Sequence, residues 1–485
     1  MQRLNRTNTV AAKYAERKVM VFGGGNFNRA FGCWMIDLLN EQTKFNGGII
    51  LVKPTPGRDY TALREQDGLY HVMLNGIESG QLVSKTRLIT AINEIVHPYL
   101  NWDQYLATAE EAGLRYIISN TTESGISFES NDQLSDAPPS SFPAKLSRWL
   151  HHRFEHFSGA SDKGCVLLPC ELIADNGDAL KACILRYAQQ WGLSAEFQDW
   201  VNSHCIFCNT LVDRIVTGYP SDTADDIQSK MGMEDQMLVA GEPYHSWIIQ
   251  GPTHLAAELP FDQIGLAVKW VEQLEDYRAQ KVKILNGAHT SMVPVGYLAG
   301  KVSVKEAIET PAIGQFIESL LQEEVWPTLD FSAAELEDFT SKTLDRFRNP
   351  FLFHKLLDIA LNSISKFKTR LLPSLLGFVD KKGFCPPRIS LALAALIVMY
   401  KGEWQGEQTP LRDDAKVLAF FQAVWAESED IPQLVTKVLA QTDFWEQDLN
   451  QLNGLPELVT TYIQAIQSKG LISTLETVFP SKLTS

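Results

Sequence analysis

Short, wholly apolar runs mark the first half of this chain, and helix-period stripes mark the second. Lys18-Val-Met-Val-Phe22 runs straight into three glycines, which predicts a buried strand feeding a tight turn. Over residues 29–39 the apolar positions recur at helical spacing, with Ala30, Phe31, Trp34, Met35, Leu38 and Leu39 on or near one face. Residues 48–52 predict a second buried strand, so strand, glycine turn, helix and strand form a βαβ unit with a right-handed crossover. Residues 116–119 and 165–168 are further short apolar runs, each followed by polar residues. Strands alternating with helical stretches imply a mostly parallel sheet with helices on both faces.

Beyond about residue 280 the pattern changes. Residues 311–325, 334–347, 353–366, 389–400, 414–425 and 456–468 all carry the 3.6-residue period, and no convincing strand run recurs. Pro311 suits a first helical turn, where its missing N–H costs nothing. The polar stretch 272–281 separates two apolar textures and sets the expected boundary. The expected class is α/β: a doubly wound domain over 1–280, followed by a mostly α-helical domain over 281–485.

Composition narrows the function. The net charge is −15, which repels phosphate backbones and anionic lipid, so nucleic-acid or membrane binding is not the expected task. The longest apolar run, 391–400, is too short for the roughly 20 residues a bilayer requires, and reads as a buried helix. The first 18 residues lack the apolar core of a signal peptide. Seven cysteines fit reduced thiols, hence a cytoplasmic setting.

Two segments carry candidate chemistry. The first is the turn Gly23-Gly-Gly25-Asn26-Phe27-Asn28. Glycine lets the backbone bend sharply and lets a pyrophosphate come close, while the following helix offers unpaired N–H groups. Gly23 and Gly25 match the first two glycines of a dinucleotide turn, and Asn28 stands at the third. The second strand ends in Lys53-Pro54, where NAD enzymes place an acid. The second segment is Lys281-x4-Asn286-x2-His289. Reducing a carbonyl by hydride needs a proton donor and polar groups aimed at the developing alkoxide. Asn286 and His289 are helix neighbours, and Lys281 lies roughly 80° from His289 around an α-helix. Cys205-x-x-Cys208 lacks a second ligand pair, and His151, His152 and His156 suit a solvated helix face, so no metal is expected.

This Lys/Asn/His spacing resembles the signature of the mannitol dehydrogenase family, the polyol-specific long-chain dehydrogenases. The stretches 22–31, Asn120-Thr-Thr-Glu-Ser-Gly125, Asp175-Asn-Gly177, Val212-Asp-Arg-Ile215 and Arg346-Phe-Arg-Asn-Pro350 are also similar to family segments, and the resemblance spans about residues 18–470. It implies a Rossmann-like N-terminal domain, NAD as cofactor and no metal. Lys281 would be the general acid and base, with Asn286 and His289 on the reacting oxygen. Val19, Met20, Val21, Phe22, Gly23, Gly24, Gly25, Asn26, Phe27, Asn28, Arg29 and Ala30 would line the pyrophosphate site. Mannitol dehydrogenases carry an asparagine after Cys-Asp where this chain has Cys170-Glu171-Leu172, which favours a branch with altered substrate contacts. The wording of the motifs points to a branch acting on keto-uronates, that is, a small sugar-acid substrate. Such an anion needs local cations. Of Arg346, Arg348, Lys366, Lys368 and Arg370, the expected contacts are Arg348 and Lys368. The rival readings are a mannonate, mannitol or arabinitol oxidoreductase of the same family, and a nucleotide-binding regulator without turnover.

Overall fold

A computed structural model describes residues 1–57, 60–122 and 124–480. The chain divides into two units: residues 1–75 with 82–274, and residues 76–81 with 275–485.

The first unit is built on a six-stranded parallel sheet: β1 (Glu16–Phe22), β2 (Gly47–Val52), β3 (Ile92–Val96), β4 (Tyr116–Ser119), β5 (Val166–Pro169) and β6 (Ile206–Phe207). Their spatial order is β3-β2-β1-β4-β5-β6, so the strand order reverses between β1 and β4. This is the doubly wound dinucleotide-binding order, in which ligands sit outside the carboxyl ends of the strands at the reversal. The central strands β1, β2, β4 and β5 carry unbroken apolar runs because both faces are covered, whereas the edge strands β3 and β6 are only partly buried. Val19, Val21, Ile49, Leu51 and Ile118 enter one core, and Met20, Phe22, Ile50, Val52 and Ile117 the other.

Two expectations need correction in this unit. The predicted helix over 29–39 is two helices, α1 (Asn26–Ala30) and α2 (Gly32–Gln42), broken at Phe31. Side chains take the carbonyls that would have continued it: Tyr70 Oη donates to Arg29 O at 2.9 Å, and Arg214 Nη1 to Ala30 O at 2.5 Å. The unit also holds more strand than the runs suggested, including Tyr70–Glu78, Gln81–Ile89, Asn209–Asp213 and Ser246–Gln250. Their apolar runs are at most three residues long, as at residues 72–74 and 247–249, and are flanked by polar residues.

The second unit is helical. It starts with α3 (Glu275–Gln280), continues through a π-helical turn, Lys281–Asn286, into α4 (Gly287–Leu298), and includes α5 (Ala333–Phe347), α6 (Ser363–Arg370), α7 (Pro387–Met399) and α8 (Leu455–Lys469). The predicted helix over 353–366 is interrupted instead: Leu356–Ile359 ends, and Asn362 turns the chain at φ +54° before α6 begins. Asparagine tolerates that left-handed conformation. The apolar run read as a buried helix is α7, with Ile389 to Met399 all buried. Among the described residues, no helix is long and apolar enough to cross a membrane.

The N-terminus of α7 is capped from another element. Glu324 accepts from Arg388 N and Ile389 N, both at 2.8 Å, and is 1% exposed. Burial pushes its carboxyl up to about 7. Glu324→Ala is therefore expected to destabilise the fold by about 1–3 kcal/mol in urea melts, since two buried donors lose their acceptor. A carboxyl whose folded value is raised contributes stability that is complete below its unfolded value and is lost as pH rises through about 7. The gap between wild type and Glu324→Ala should shrink from pH 5 to pH 8. A gap that widened would show that the hydrogen bonds outweigh burial.

Candidate functional site

The glycine turn leaves the carboxyl end of β1. Gly23 sits at φ +95°, and a Cβ there would meet Asn120 O at 2.8 Å, so no other residue fits without strain. A Cβ on Gly24 would strike the Tyr60 ring at 2.9 Å, and the Gly24 N–H donates to Tyr60 Oη at 2.6 Å. Gly25 differs: a Cβ built there meets nothing within 4 Å. Its side faces open space at the start of α1, where a ligand can approach the backbone.

The other residues of the segment divide by burial. Gly25 and Asn26 are exposed and Phe27 is half-buried, whereas Val19, Met20, Val21, Phe22 and Ala30 are buried to 0%. The strand side chains thus hold the turn rather than face a ligand. Asn28 takes the place of the third glycine and closes the turn from inside, donating to Phe22 O at 3.0 Å and Gly23 O at 2.7 Å. Arg29 is also buried; it donates to Gly24 O at 3.2 Å, to Asn26 Oδ1 at 2.8 Å and to Met237 O. Lys53, at the end of β2, donates to Thr55 Oγ1 at 2.9 Å.

Several segments resembling the family prove to be internal staples of the first unit. Asn176 donates to Pro169 O, Glu171 O and Thr210 O at 3.0–3.1 Å. Arg214 holds Pro243 O, Tyr244 O and Ala30 O. Glu171 is 2% exposed and accepts from Ser119 Oγ and from the backbone and side chain of Thr121, while burial raises its carboxyl. Within Asn120–Gly125, Glu123 lies outside the described residues. Cys205 and Cys208 are buried, and burial pushes the Cys208 thiol up to about 12.

In the second unit, the Lys/Asn/His segment lies on one continuous helical path whose pitch changes inside the motif. Gly287 N donates to Val282 O, five residues back. In a helix bonded i to i+5, residues five apart stand one turn apart on the same face. Lys281 and Asn286 are so related, whereas an α-helix would set them roughly 140° apart. The expectation of an α-helical path is corrected in that respect. His289 follows on α4, three residues after Asn286 and so beside it. Gly287 continues the helix at φ −63°, so Asn-Gly is not a turn here.

The His289 ring lies 4.3 Å from the Phe347 ring and 5.4 Å from that of His354, centroid to centroid. Its Nε2 is shielded from solvent and has no hydrogen-bond partner among the described residues. Burial, then the nearby charges of His354, Arg346, Arg370 and Lys366, hold the imidazole well below its ordinary range, so it is neutral near pH 7. A neutral imidazole offers one N–H to an oxygen.

Those cations form the local field. Lys366 and Arg370 are four apart on α6 and share a face; Lys366 Nζ donates to Ile359 O at 2.7 Å, and Arg370 Nη1 to Thr290 Oγ1 at 3.4 Å. Arg346 is 8% exposed near the end of α5. Burial lowers both Lys366 and Arg370, and the Arg370 charge lowers Lys366 further. Lys368 does not join them. It points off the other side of α6, pairs with Glu446 at 3.3 Å and lines a 400 Å³ cavity with Asp413, Asp414 and Asp443. Arg348 follows the last residue of α5 and is half-buried. His354 was not singled out by sequence reasoning. It falls at the start of the stretch 353–366 read as a periodic helix, and its proximity to Arg346-Phe-Arg-Asn-Pro350 was the one available signal.

Residues 17–263 match the mannitol dehydrogenase Rossmann domain, and residues 273–467 match the mannitol dehydrogenase C-terminal domain. The chain is 47% identical to an altronate oxidoreductase of Klebsiella pneumoniae (strain 342) over 476 residues, 97% of this chain and 98% of that one. It is also 47% identical to an altronate oxidoreductase of Pectobacterium carotovorum subsp. carotovorum (strain PC1), over 98% of this chain and 99% of the other. Among solved structures, a D-sorbitol dehydrogenase in substrate-free form superposes with a TM-score of 0.79 at 21% identity, covering 98% of this chain and all of the other. Pseudomonas fluorescens mannitol 2-dehydrogenase, in complex with NAD and D-mannitol, gives a TM-score of 0.64 at 20% identity over 98% and 99% of the two chains.

Proposed function

This chain belongs to the mannitol dehydrogenase family, and from that premise we infer that it is an NAD-dependent altronate oxidoreductase, interconverting D-tagaturonate and D-altronate in hexuronate breakdown. The observation that supports the chemistry is the π turn, which sets Lys281 and Asn286 about one turn apart on the helix, three residues before His289 and its unpartnered Nε2.

The glycine turn would hold the dinucleotide, since the open side of Gly25 leaves room for a pyrophosphate and the N-terminus of α1 has no side-chain cap. NADH bound there would supply the hydride for the ketone carbon. Lys281 gives its proton to the ketone oxygen as the C–O bond becomes single, and is reprotonated from solvent; in the oxidative direction its free amine takes the proton back. Asn286 Nδ2 and the His289 N–H donate to that oxygen, stabilising the charge that develops on it. Arg370, Lys366 and Arg346 would attract the carboxylate of the sugar acid, and Arg370 offers a planar fork beside Thr290. The described cysteines are all free thiols, which supports a reducing, cytoplasmic setting.

The test is a panel of tagaturonate, fructuronate and fructose, each with NADH and NADPH. Tagaturonate with NADH should give the highest kcat/KM. Consumption of NADH with none of the three would overturn the enzyme reading, and preference for fructuronate or fructose would move the chain to a sister activity. Arg370→Met is expected to raise KM for the keto acid roughly 10–100-fold, the loss of one charge-assisted pair, with NADH affinity unchanged. Lys368→Met should leave both alone. The reverse pattern would return the carboxylate contact to Lys368.

A further inference from the structure

No hydrogen bond among the described residues fixes the His289 ring; two other rings do. Phe347 packs on it at 4.3 Å with a 46° tilt, and His354 meets it edge-on at 5.4 Å and 72°. Phe347 belongs to α5, so its placement follows from the helix. His354 lies in a connecting segment, where a ring would ordinarily wander. Here the backbone is pinned on both sides. Val304 N donates to His354 O at 2.9 Å, Leu356 N donates to Val302 O at 3.0 Å, and Ser303 and Lys355 form an antiparallel bridge between them. Phe353 is 70% exposed and His354 is exposed as well, with its ring set edge-on against that of His289.

We propose that His354 is a positioning residue for the reaction, holding the His289 ring in the orientation from which its nitrogen meets the substrate oxygen. The inference rests on the assignment of His289 to that oxygen. Edge-to-face packing is directional, and a ring held only by packing loses its aim when one wall is removed. The groups facing this pair are Arg346 from α5, Lys366 and Arg370 from α6, and Asp358 from the turn after His354. Burial and the three cations lower the His289 imidazole, whereas partial burial lowers that of His354 against the opposing charge of Asp358.

Three forms of the protein test this: wild type, His354→Ala and His354→Phe, each first shown to melt like wild type. Phenylalanine restores an aromatic edge without a nitrogen. In His354→Ala, kcat for tagaturonate reduction should fall roughly 10–100-fold, with the Kd for NADH and KM for the keto acid changed less than threefold. His354→Phe should recover kcat to within about threefold of wild type. Equal impairment of both variants would mean that the imidazole itself takes part in the chemistry, and wild-type rates in both would mean that it does nothing; either outcome overturns the proposal. A second readout needs no substrate. In histidine-labelled protein followed by NMR, the His289 ring should titrate closer to its ordinary range in His354→Ala and stay depressed in His354→Phe. If wild type turns over no member of the panel, the functional assignment fails while this titration still decides the role of His354. Identical His289 titrations in all three proteins would overturn it.

Discussion

Lys281→Ala is expected to cut turnover by roughly 10²–10⁴-fold in both directions while leaving the Kd for NADH within about twofold of wild type, which is the range a positioned acid or base contributes. The split follows from where the residue lies. Lys281 sits on the π turn of the second unit, and the glycine turn belongs to the first. On the roles proposed above, truncating the lysine removes the proton donor and leaves every residue of the glycine turn unchanged. The measurement is steady-state kinetics across pH beside a fluorescence titration with NADH. A variant that kept near-normal kcat from pH 6 to 9 would place the acid elsewhere. Lys281→Arg sharpens the test, because a guanidinium keeps the charge yet does not release a proton in this range.

The second large effect is expected at Gly25. Leucine there should weaken NADH binding by at least 100-fold and leave the melting temperature unchanged. Protein atoms leave room for a Cβ at this position, with nothing within 4 Å, so the expected penalty comes from the incoming dinucleotide, and the melting temperature checks that the fold accepts the rest of the side chain. Gly23 is the control. Its φ of +95° and the 2.8 Å approach to Asn120 O make Gly23→Ala a folding defect as well. Unaltered NADH affinity in Gly25→Leu would move the cofactor away from this turn.

The parallel sheet was legible because its central strands are buried on both faces and leave unbroken apolar runs; residues 116–119 coincide with β4, and 48–52 lie within Gly47–Val52. The half-polar strands Tyr70–Glu78 and Gln81–Ile89 left no such trace. In the helical unit the long stripes were readable, but the breaks were not. Asn362 adopts φ +54° in the middle of a periodic stretch, and a single asparagine does not announce that choice. The site shows the same division. Its three polar side chains stand close together in sequence, but their alignment depends on a change of helical pitch that residue spacing does not encode. A uniform 100° wheel across Lys281–Asn286 puts the lysine on the wrong side. On α6 the wheel works: it separates Lys366 and Arg370, whose charges act on His289, from Lys368.

The cations beside His289 belong to a chain of net charge −15. A sugar acid approaching from bulk water therefore meets repulsion at long range and attraction only in the last few ångströms. Dissolved salt screens the first contribution more than the second, because interactions across about 10 Å of solvent are damped at ~0.1 M while contacts between partly buried groups are much less so. Capture of the substrate should accordingly quicken as ionic strength rises from very dilute buffer, the opposite of an enzyme whose whole surface draws its ligand in.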